Sequence, residues 1–398
     1  MPVARSADTG FSPLDERLGL LPDSHFTPGL VAGMARLGTL IPFGQVPGIM
    51  QHFTGVTISA ETVRRLTELA GAAQVERDSA AVVQIERDLP TPPSGPALQL
   101  LSVDGAMVSL VGGTWTEVKT LAIGTVAADP LDPTQVRTRD LSYFSRRDEA
   151  ATFTRLATVE THRRGTETAQ TVVAVVDGAE WCQGFIDHQR HDAVRVLDYA
   201  HAMGYLGQAA QALFGTGTAA ASEWLGRQAH ALRHGQEETV LSQLTERIAI
   251  SRDEARDVTQ TAATYLSSRL EQIRYQTFVT AGYPIGSGCV ESANKLVVEA
   301  RLKGSGMHWA AEHINPMLAL RTLSANDRWE ESWPDIRSCV RQQAAQRSQQ
   351  RRQSRQIQPL PAAPPDPPPT PPPTSTTFTR STLVVAGKPT KDHPWRRY

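Results

Sequence analysis

The chain has 398 residues, enough for a large core and roughly two to three domains. A formal net charge of −1 gives no overall attraction to a polyanion, and the three cysteines form no C-x-x-C pair, which argues against a zinc ribbon or a disulfide framework. The sequence also contains no signal-peptide core and no apolar run of membrane-spanning length, so a cytoplasmic protein without a membrane partner is expected.

Composition divides the chain into four parts. Residues 1–88 have a helical pattern, and residues 89–96 (LPTPPSGP) form a predicted proline-rich linker. Residues 97–335 follow as the predicted catalytic domain, and residues 336–398 as a basic and proline-rich tail. Ten prolines between Pro359 and Pro373 favour polyproline II, which predicts disorder there.

The N-terminal region has helix-turn-helix character between residues 43 and 71. An apolar helix leads to a turn at Gly55, and Ser59 is placed to cap the next helix. Val63, Leu66 and Ala70 are then expected to face the core, which leaves Arg64 and Arg65 available to DNA. A plain helical hairpin explains the same pattern.

The middle region begins with strands. The apolar run ALQLLSV, the alternating TWTEVKTLAIGTV and a segment near residues 141–144 predict three strands, and a helix ending at Gly165 follows. TVVAVVD and AVRVLD predict two more strands, and residues 222–275 are helical. Periodicity therefore supports an α/β fold with added helices, and the order of elements matches a mixed sheet of the ribonuclease H type.

Two aspartates follow or end apolar strands, each directly before a glycine: Asp104 in SVDGAM and Asp177 in VVDGAEW. Carboxylates at the carboxyl ends of neighbouring strands can converge on a ligand. Each Asp-Gly pair is also a common start of a turn.

A third acidic residue, Glu291, lies near the start of a predicted helix after the Gly-Ser-Gly loop of IGSGCVES. A carboxylate in the first turn of a helix is favoured by the helix dipole, and Glu291 could also form an ordinary surface pair with Lys295. The residues alone leave these interpretations open.

Longer segments change this balance. SVDGAMVSLVGGTWTEVKTLAIGTV, VVDGAEW, LDYAHAMGYL and YPIGSGCVESANKLVVEARLKGSGMHW together resemble the ISKra family of insertion-sequence transposases, from about Phe11 to the C-terminal KDHPWRRY. The resemblance implies a DDE-type transposase with a ribonuclease H-like catalytic domain that carries a helical insertion. It places the catalytic and metal-binding triad on Asp104, Asp177 and Glu291.

The implied cofactor is magnesium, two ions in each active site, with manganese able to substitute. Two ions ~3.5–4 Å apart clamp the attacking and leaving oxygens of a phosphodiester. The implied partners are the terminal inverted repeats of the element, target DNA and further copies of the chain in a homo-oligomer. The bacterial nucleoid is then the expected location when the protein is bound to DNA.

A second pair, Asp198 and His201 in LDYAHA, resembles the short Asp-x-x-His element of mutator-like transposases, which implies a supporting role beside the active site. The alternative is an aspartate that caps the following helix. Trp115, Glu117 and Lys119 alternate on one face of the second strand, where a cross-strand cluster or support beneath Asp104 would explain them.

The segment around Glu291 is rich in groups that suit DNA. Cations neutralise phosphates, and an aromatic ring stacks on a splayed base. The candidates are Lys295, Arg301, Lys303, His308 and Trp309. Residues 337–355 hold six arginines without an acidic residue, which predicts a DNA-binding arm or a solvated tail.

Two competing functions remain at this stage. A ribonuclease H-like nuclease would cut DNA without joining strands, and an inactive or co-opted transposase would only bind it.

Overall fold

A computed structural model of the chain describes residue 20, residues 26–132 and residues 135–357. The proline tract and the terminal HPWRRY lie outside the described residues. The described residues up to Gln349 form one compact unit. The N-terminal helices and the predicted catalytic region thus belong to one unit, and the boundary predicted at residues 335–336 falls inside a helix.

Five strands form the central sheet. They are β1 (Leu98–Ser109), β2 (Trp115–Ala128), β3 (Val136–Arg146), β4 (Thr171–Val176) and β5 (Val194–Leu197). The spatial order is β3-β2-β1-β4-β5, with β1, β2 and β3 antiparallel and with β4 and β5 parallel to β1. The predicted α/β class with a mixed sheet is confirmed.

Helices cover both faces of the sheet because each strand alternates apolar side chains between them. On one face, Leu101 and Val103 pack with α4 (Ala150–Arg163) and α5 (Glu180–Arg190). Helix α5 was not predicted from the sequence, because only Cys182, Phe185 and Ile186 of its residues are buried and most of the others are polar. Helix α5 supplies the crossover that parallel strands β4 and β5 require.

The helical insertion covers the part of the other face formed by Leu100, Val173 and Val175. After α6 (Tyr199–Phe214), it consists of α7 (Ala219–Arg233), α8 (Glu237–Ile250), α9 (Asp253–Ser267) and α10 (Tyr275–Thr280). Their buried side chains pack with Leu100, Val173 and Val175 of the sheet. The long helical stretch predicted between residues 222 and 275 is therefore a set of short helices packed on the sheet.

The segment Gly288–Leu302, called here the Glu291 segment, covers the part of this face formed by Ala106 and Val108. It comprises α11 (Gly288–Ala293), a π-helical turn (Asn294–Glu299) and α12 (Ala300–Leu302). Val290, Val297 and Val298 pack on Ala106 and Val108 of β1 and on α13 (Ala311–Ala325). The predicted single helix over residues 289–302 thus contains one irregular turn.

Within the described residues, three helices precede the sheet: α1 (Pro28–Leu40), α2 (Val46–Thr54) and α3 (Ala60–Asp88). The Ser59 hydroxyl caps α3 by accepting a hydrogen bond from the Thr62 amide at 3.1 Å, and Val63, Leu66 and Ala70 are buried, as predicted. These helices pack on α13 and on α14 (Trp329–Ile357) in one core. Residues 89–96 have neither helix nor strand.

Candidate active site

Asp104 lies inside β1, not at its end as the sequence predicted. The difference arises because β1 pairs with β4 only over Leu98–Leu101 and then continues alongside β2 alone. Asp104 is therefore past the end of the parallel pairing, beside the point where β4 finishes. The sheet edge that the strand ends predicted is present, and it arises because β4 is shorter than β1.

Both oxygens of Asp104 accept a hydrogen bond. Oδ1 accepts from the Gly105 amide at 2.7 Å, and Oδ2 from the Asn294 side-chain amide at 2.9 Å. Burial raises the pKa of Asp104, the two hydrogen bonds oppose that rise, and the negative charges of Asp177 and Glu291 add to it. Asp177 and Glu291 therefore each lie close enough to Asp104 for their charges to act on it.

Asp177 directly follows β4 and precedes α5. Its Oδ1 accepts from the Ala179 amide at 2.9 Å and from the Cys182 thiol at 3.5 Å. Burial and the Asp177 charge raise the pKa of Cys182, which keeps the thiol protonated and able to donate. Among the described residues, the other oxygen, Oδ2, has no hydrogen-bond partner.

The backbone around Asp177 is held by two residues of α9 and its C-terminal turn. The Tyr265 hydroxyl donates to the Asp177 carbonyl, and Arg269 Nη2 donates to the Gly178 carbonyl at 2.9 Å. The guanidinium of Arg269 also lies 3.9 Å from the centre of the Tyr265 ring. Sequence reasoning missed both residues because they are 88 and 91 positions away from their partners.

This contact explains the glycine after Asp177. Gly178 has a φ of +82°, and a Cβ there would lie 2.7 Å from both the Tyr265 hydroxyl and Arg269 Nε. After Asp104, a Cβ on Gly105 would lie within contact of the Glu117 carboxylate. Neither Asp-Gly pair therefore simply begins a surface turn. Each glycine admits a side chain from another element.

Glu291 lies in the first turn of α11, and its side chain is exposed. No hydrogen bond or ion pair to its carboxylate occurs within the described part of the chain, so the surface pair with Lys295 that the spacing allows is not formed. Its charge adds to the rise in the pKa of Asp104, after burial and the charge of Asp177.

Asp198 is buried at 4% exposure, and both of its oxygens are occupied. Oδ2 caps α6 by accepting from the His201 amide, and Oδ1 accepts from the Ser287 amide, each at 2.8 Å. Ser287 belongs to the loop that begins the Glu291 segment, and the Tyr199 amide donates to Ile285 in the same loop at 2.9 Å. Asp198 thus holds the loop in front of Glu291.

His201 itself is exposed. Its ring contacts Tyr205 and Tyr265, with centroids at 5.7 Å and 6.1 Å. It lies next to the residues that hold the Asp177 backbone.

Lys119 and Glu117 form an ion pair at 2.7 Å beside the site, and Lys119 is largely buried. Lys119 Nζ also donates to the Asp148 carbonyl at 3.2 Å and lies 5.5 Å from the centre of the Trp181 ring. Trp115, two residues before Glu117, is 61% exposed. Of the alternating residues predicted on β2, Glu117 and Lys119 thus form a cluster with neighbouring elements, whereas Trp115 is exposed to solvent.

The predicted DNA-binding residues divide into two groups. Arg65, Lys295, Lys303 and His308 are exposed, although Lys303 pairs with Glu299 at 2.8 Å. Arg64 is partly neutralised by ion pairs with Glu61 and Glu68, both at 2.6 Å.

Arg301 and Trp309 are buried, which corrects their prediction as surface contacts to DNA. They are 2% and 8% exposed. The Arg301 guanidinium lies 4.5 Å and 5.1 Å from the centres of the Phe43 and Trp309 rings and donates to the Gly38 carbonyl at 3.1 Å. Burial lowers the pKa of Arg301 to about 10. This arginine joins the N-terminal helices to the Glu291 segment.

The three carboxylates share an edge without meeting at one point. In the described ranges, no group of three or more His, Cys, Asp and Glu side chains is close enough to hold a metal ion. Along the same residues, no helix is both long enough and apolar enough to cross a membrane.

No protein-family profile matches the chain, and no curated protein matches it.

Proposed function

We propose that the chain is the DNA transposase of an insertion sequence and that it cuts and joins DNA strands through Asp104, Asp177 and Glu291. The observation that carries this proposal is the placement of Asp104 and Asp177 where the parallel pairing of β1 and β4 ends, with the Glu291 segment joined to Asp104 by the Asn294 hydrogen bond. Clustered acidic groups that repel one another are a common arrangement at catalytic sites.

The sheet supports the same proposal. Three antiparallel strands, a helix and then two strands parallel to the first form the topology that a ribonuclease H-like domain is expected to have. In open sheets, ligands bind where neighbouring strands end, and Asp104 and Asp177 lie at such a position between β1 and β4. The helical insertion precedes the Glu291 segment, as the resemblance implies.

The donor chemistry fits magnesium, which prefers carboxylate oxygens. Oδ2 of Asp177 and both oxygens of Glu291 are unpaired among the described residues. The three carboxylates do not already converge on one ion, so the proposal requires the exposed Glu291 side chain to change rotamer toward the aspartates. Asp104, Asp177 and Glu291 would hold two magnesium ions, which activate the attacking oxygen and stabilise the leaving oxygen of a phosphodiester.

The protein's own residues set the geometry of the reaction. Ala179 and Cys182 orient the carboxylate of Asp177, and Tyr265 and Arg269 hold its backbone. Hydrolysis at the element end breaks the bond between phosphorus and the 3′-oxygen and frees a 3′-hydroxyl. That hydroxyl then attacks a phosphate of target DNA, and the displaced 3′-oxygen of the target leaves with the proton.

DNA would contact two exposed regions. Lys295, Lys303 and His308 surround the Glu291 segment, and Arg65 is exposed near the start of α3. The pair α2 and α3, joined by a turn in which Gly55 has a φ of +70°, is proposed as the helix-turn-helix element that recognises the terminal repeats. Pairing of two element ends requires at least two copies of the chain, so a homo-oligomer on DNA is part of the proposal.

The test is a magnesium-dependent cleavage assay on the native element ends, with Asp177→Ala as the control. A labelled 3′-hydroxyl end added to target DNA then measures joining. Cleavage and joining that both depend on Asp177 are expected. Cleavage without joining would favour a nuclease, and specific binding of the ends without either reaction would favour an inactive, DNA-binding protein.

A further inference from the structure

Asn294 connects the two halves of the candidate site. It is the first residue of the π-helical turn, three positions after Glu291, and it is 5% exposed. Its Nδ2 donates to Asp104 Oδ2 at 2.9 Å across a sequence separation of 190 residues. This is the one side-chain hydrogen bond, among the described residues, that joins the Asp104 carboxylate to the Glu291 segment.

The other half of the Asn294 carboxamide has no partner. Its Oδ1 is buried and accepts no hydrogen bond among the described residues. A buried polar atom without a partner costs free energy, so nearly all such atoms in folded proteins are paired. Replacing Asn294 with an apolar residue removes this unpaired oxygen together with the hydrogen bond to Asp104, so the two effects on the fold oppose each other and little net loss is expected.

Asn326 shows what a structural asparagine looks like in the same molecule. Its Oδ1 accepts from the Tyr143 amide at 2.8 Å, and its Nδ2 donates to the Tyr143 carbonyl at 2.9 Å. Both atoms of this amide fasten the end of α13 to β3. Asn294 instead contributes only the bond to Asp104.

The irregular turn around Asn294 is supported from outside. Arg321, a buried residue of α13, donates from Nε to the Val297 carbonyl at 3.3 Å and from Nη2 to the Leu296 carbonyl. These bonds satisfy carbonyls within the π-helical turn. Such turns inside helices often occur at functional sites, because they change which side chains face the site.

We propose that Asn294 is a positioning residue of the cation site: its amide fixes the orientation of the Asp104 carboxylate and ties Asp104 to the segment that carries Glu291. This inference rests on the proposed function. Removing a residue that hydrogen-bonds to a metal ligand typically weakens metal affinity by ~10–100-fold.

The experiment measures Mn²⁺ binding to the full chain by electron paramagnetic resonance of the free ion, together with the thermal midpoint of unfolding. The variants are Asn294→Leu, Asp104→Ala and the matched control Asn326→Leu. Asn294→Leu is expected to weaken Mn²⁺ binding by ~10–100-fold at an unchanged or higher midpoint, because the unpaired oxygen is removed. Asn326→Leu is expected to lower the midpoint at unchanged Mn²⁺ affinity.

Each of the other possible results would show that either the role of Asn294 or the cation site itself is wrong. If Asp104→Ala weakens binding and Asn294→Leu does not, the role of Asn294 is wrong and the cation site stands. If Asn294→Leu lowers the midpoint as Asn326→Leu does, and the smaller Asn294→Ala does the same, Asn294 is structural. If Asp104→Ala binds Mn²⁺ like the unmodified chain, the cation site itself is wrong.

Discussion

Strands β4 and β5 are neighbours, and each ends in an aspartate that precedes a helix. In Asp198, both oxygens accept backbone hydrogen bonds and the side chain is buried. In Asp177, one oxygen is used locally while the other has no partner among the described residues. The same sequence pattern thus produces one aspartate that fastens the chain and one that is available to a ligand.

The largest expected effect separates the two aspartates by chemistry. Asp177→Asn keeps an oxygen that can accept from Ala179 but removes the charge, so DNA cleavage is expected to fall by on the order of 10³-fold or more. Its unfolding free energy should remain close to that of the unmodified chain in a denaturant titration. Asp198→Asn, assayed beside it, should retain measurable cleavage. Complete loss in a folded Asp198→Asn would make Asp198 a catalytic residue and erase the contrast.

The second effect concerns stability. Asp198→Ala removes the cap of α6 and leaves the buried Ser287 amide without an acceptor, so the unfolding free energy is expected to fall by about 2–4 kcal/mol. Asp192→Ala, at an exposed ion pair before β5, is the control and should change it by less than about 1 kcal/mol. Equal effects of the two substitutions would show that the hydrogen bonds of Asp198 contribute little.

The third effect tests the backbone clamp on the Asp177 side. Gly178→Ala places a Cβ at a positive φ against Tyr265 and Arg269, and a loss of about 1–3 kcal/mol in unfolding free energy is expected, together with weaker cleavage. Gly184→Ala in α5 meets no atom within 4 Å and should be neutral or stabilising. An unaffected Gly178→Ala would mean that the clamp yields without cost.

The smallest effect comes from one hydrogen bond. Tyr265→Phe removes the donor to the Asp177 carbonyl and is expected to lower the unfolding free energy by about 0.5–1.5 kcal/mol. Tyr205→Phe is a matched control, because its ring stacks on Tyr265 at 3.9 Å and its hydroxyl makes no hydrogen bond among the described residues. A shift in the Mn²⁺ affinity of Tyr265→Phe alone would show that the clamp also orients the carboxylate.

Local pattern was sufficient for several parts of the fold. Apolar runs predicted three of the strands, alternation predicted β2, and β3 was predicted only near residues 141–144 of its full range. The cap at Ser59 and the burial of Val63, Leu66 and Ala70 also followed from the local sequence. These features depend on residues that are close in sequence. The missed helix α5 shows the limit, since its three buried side chains are too few to stand out among polar neighbours.

The sequence by itself determined that acidic residues accompany two strands and a helix start, because strand and helix patterns are local. Only the tertiary structure decided which carboxylate oxygens are free, that Arg301 and Trp309 are buried, and that Asn294, Tyr265 and Arg269 support the aspartates. These contacts join residues far apart in sequence, and packing alone brings them together. Asp177 and Asp198 look alike along the chain, and they differ because the Ser287 amide, just before the Glu291 segment, donates a hydrogen bond to the second oxygen of Asp198.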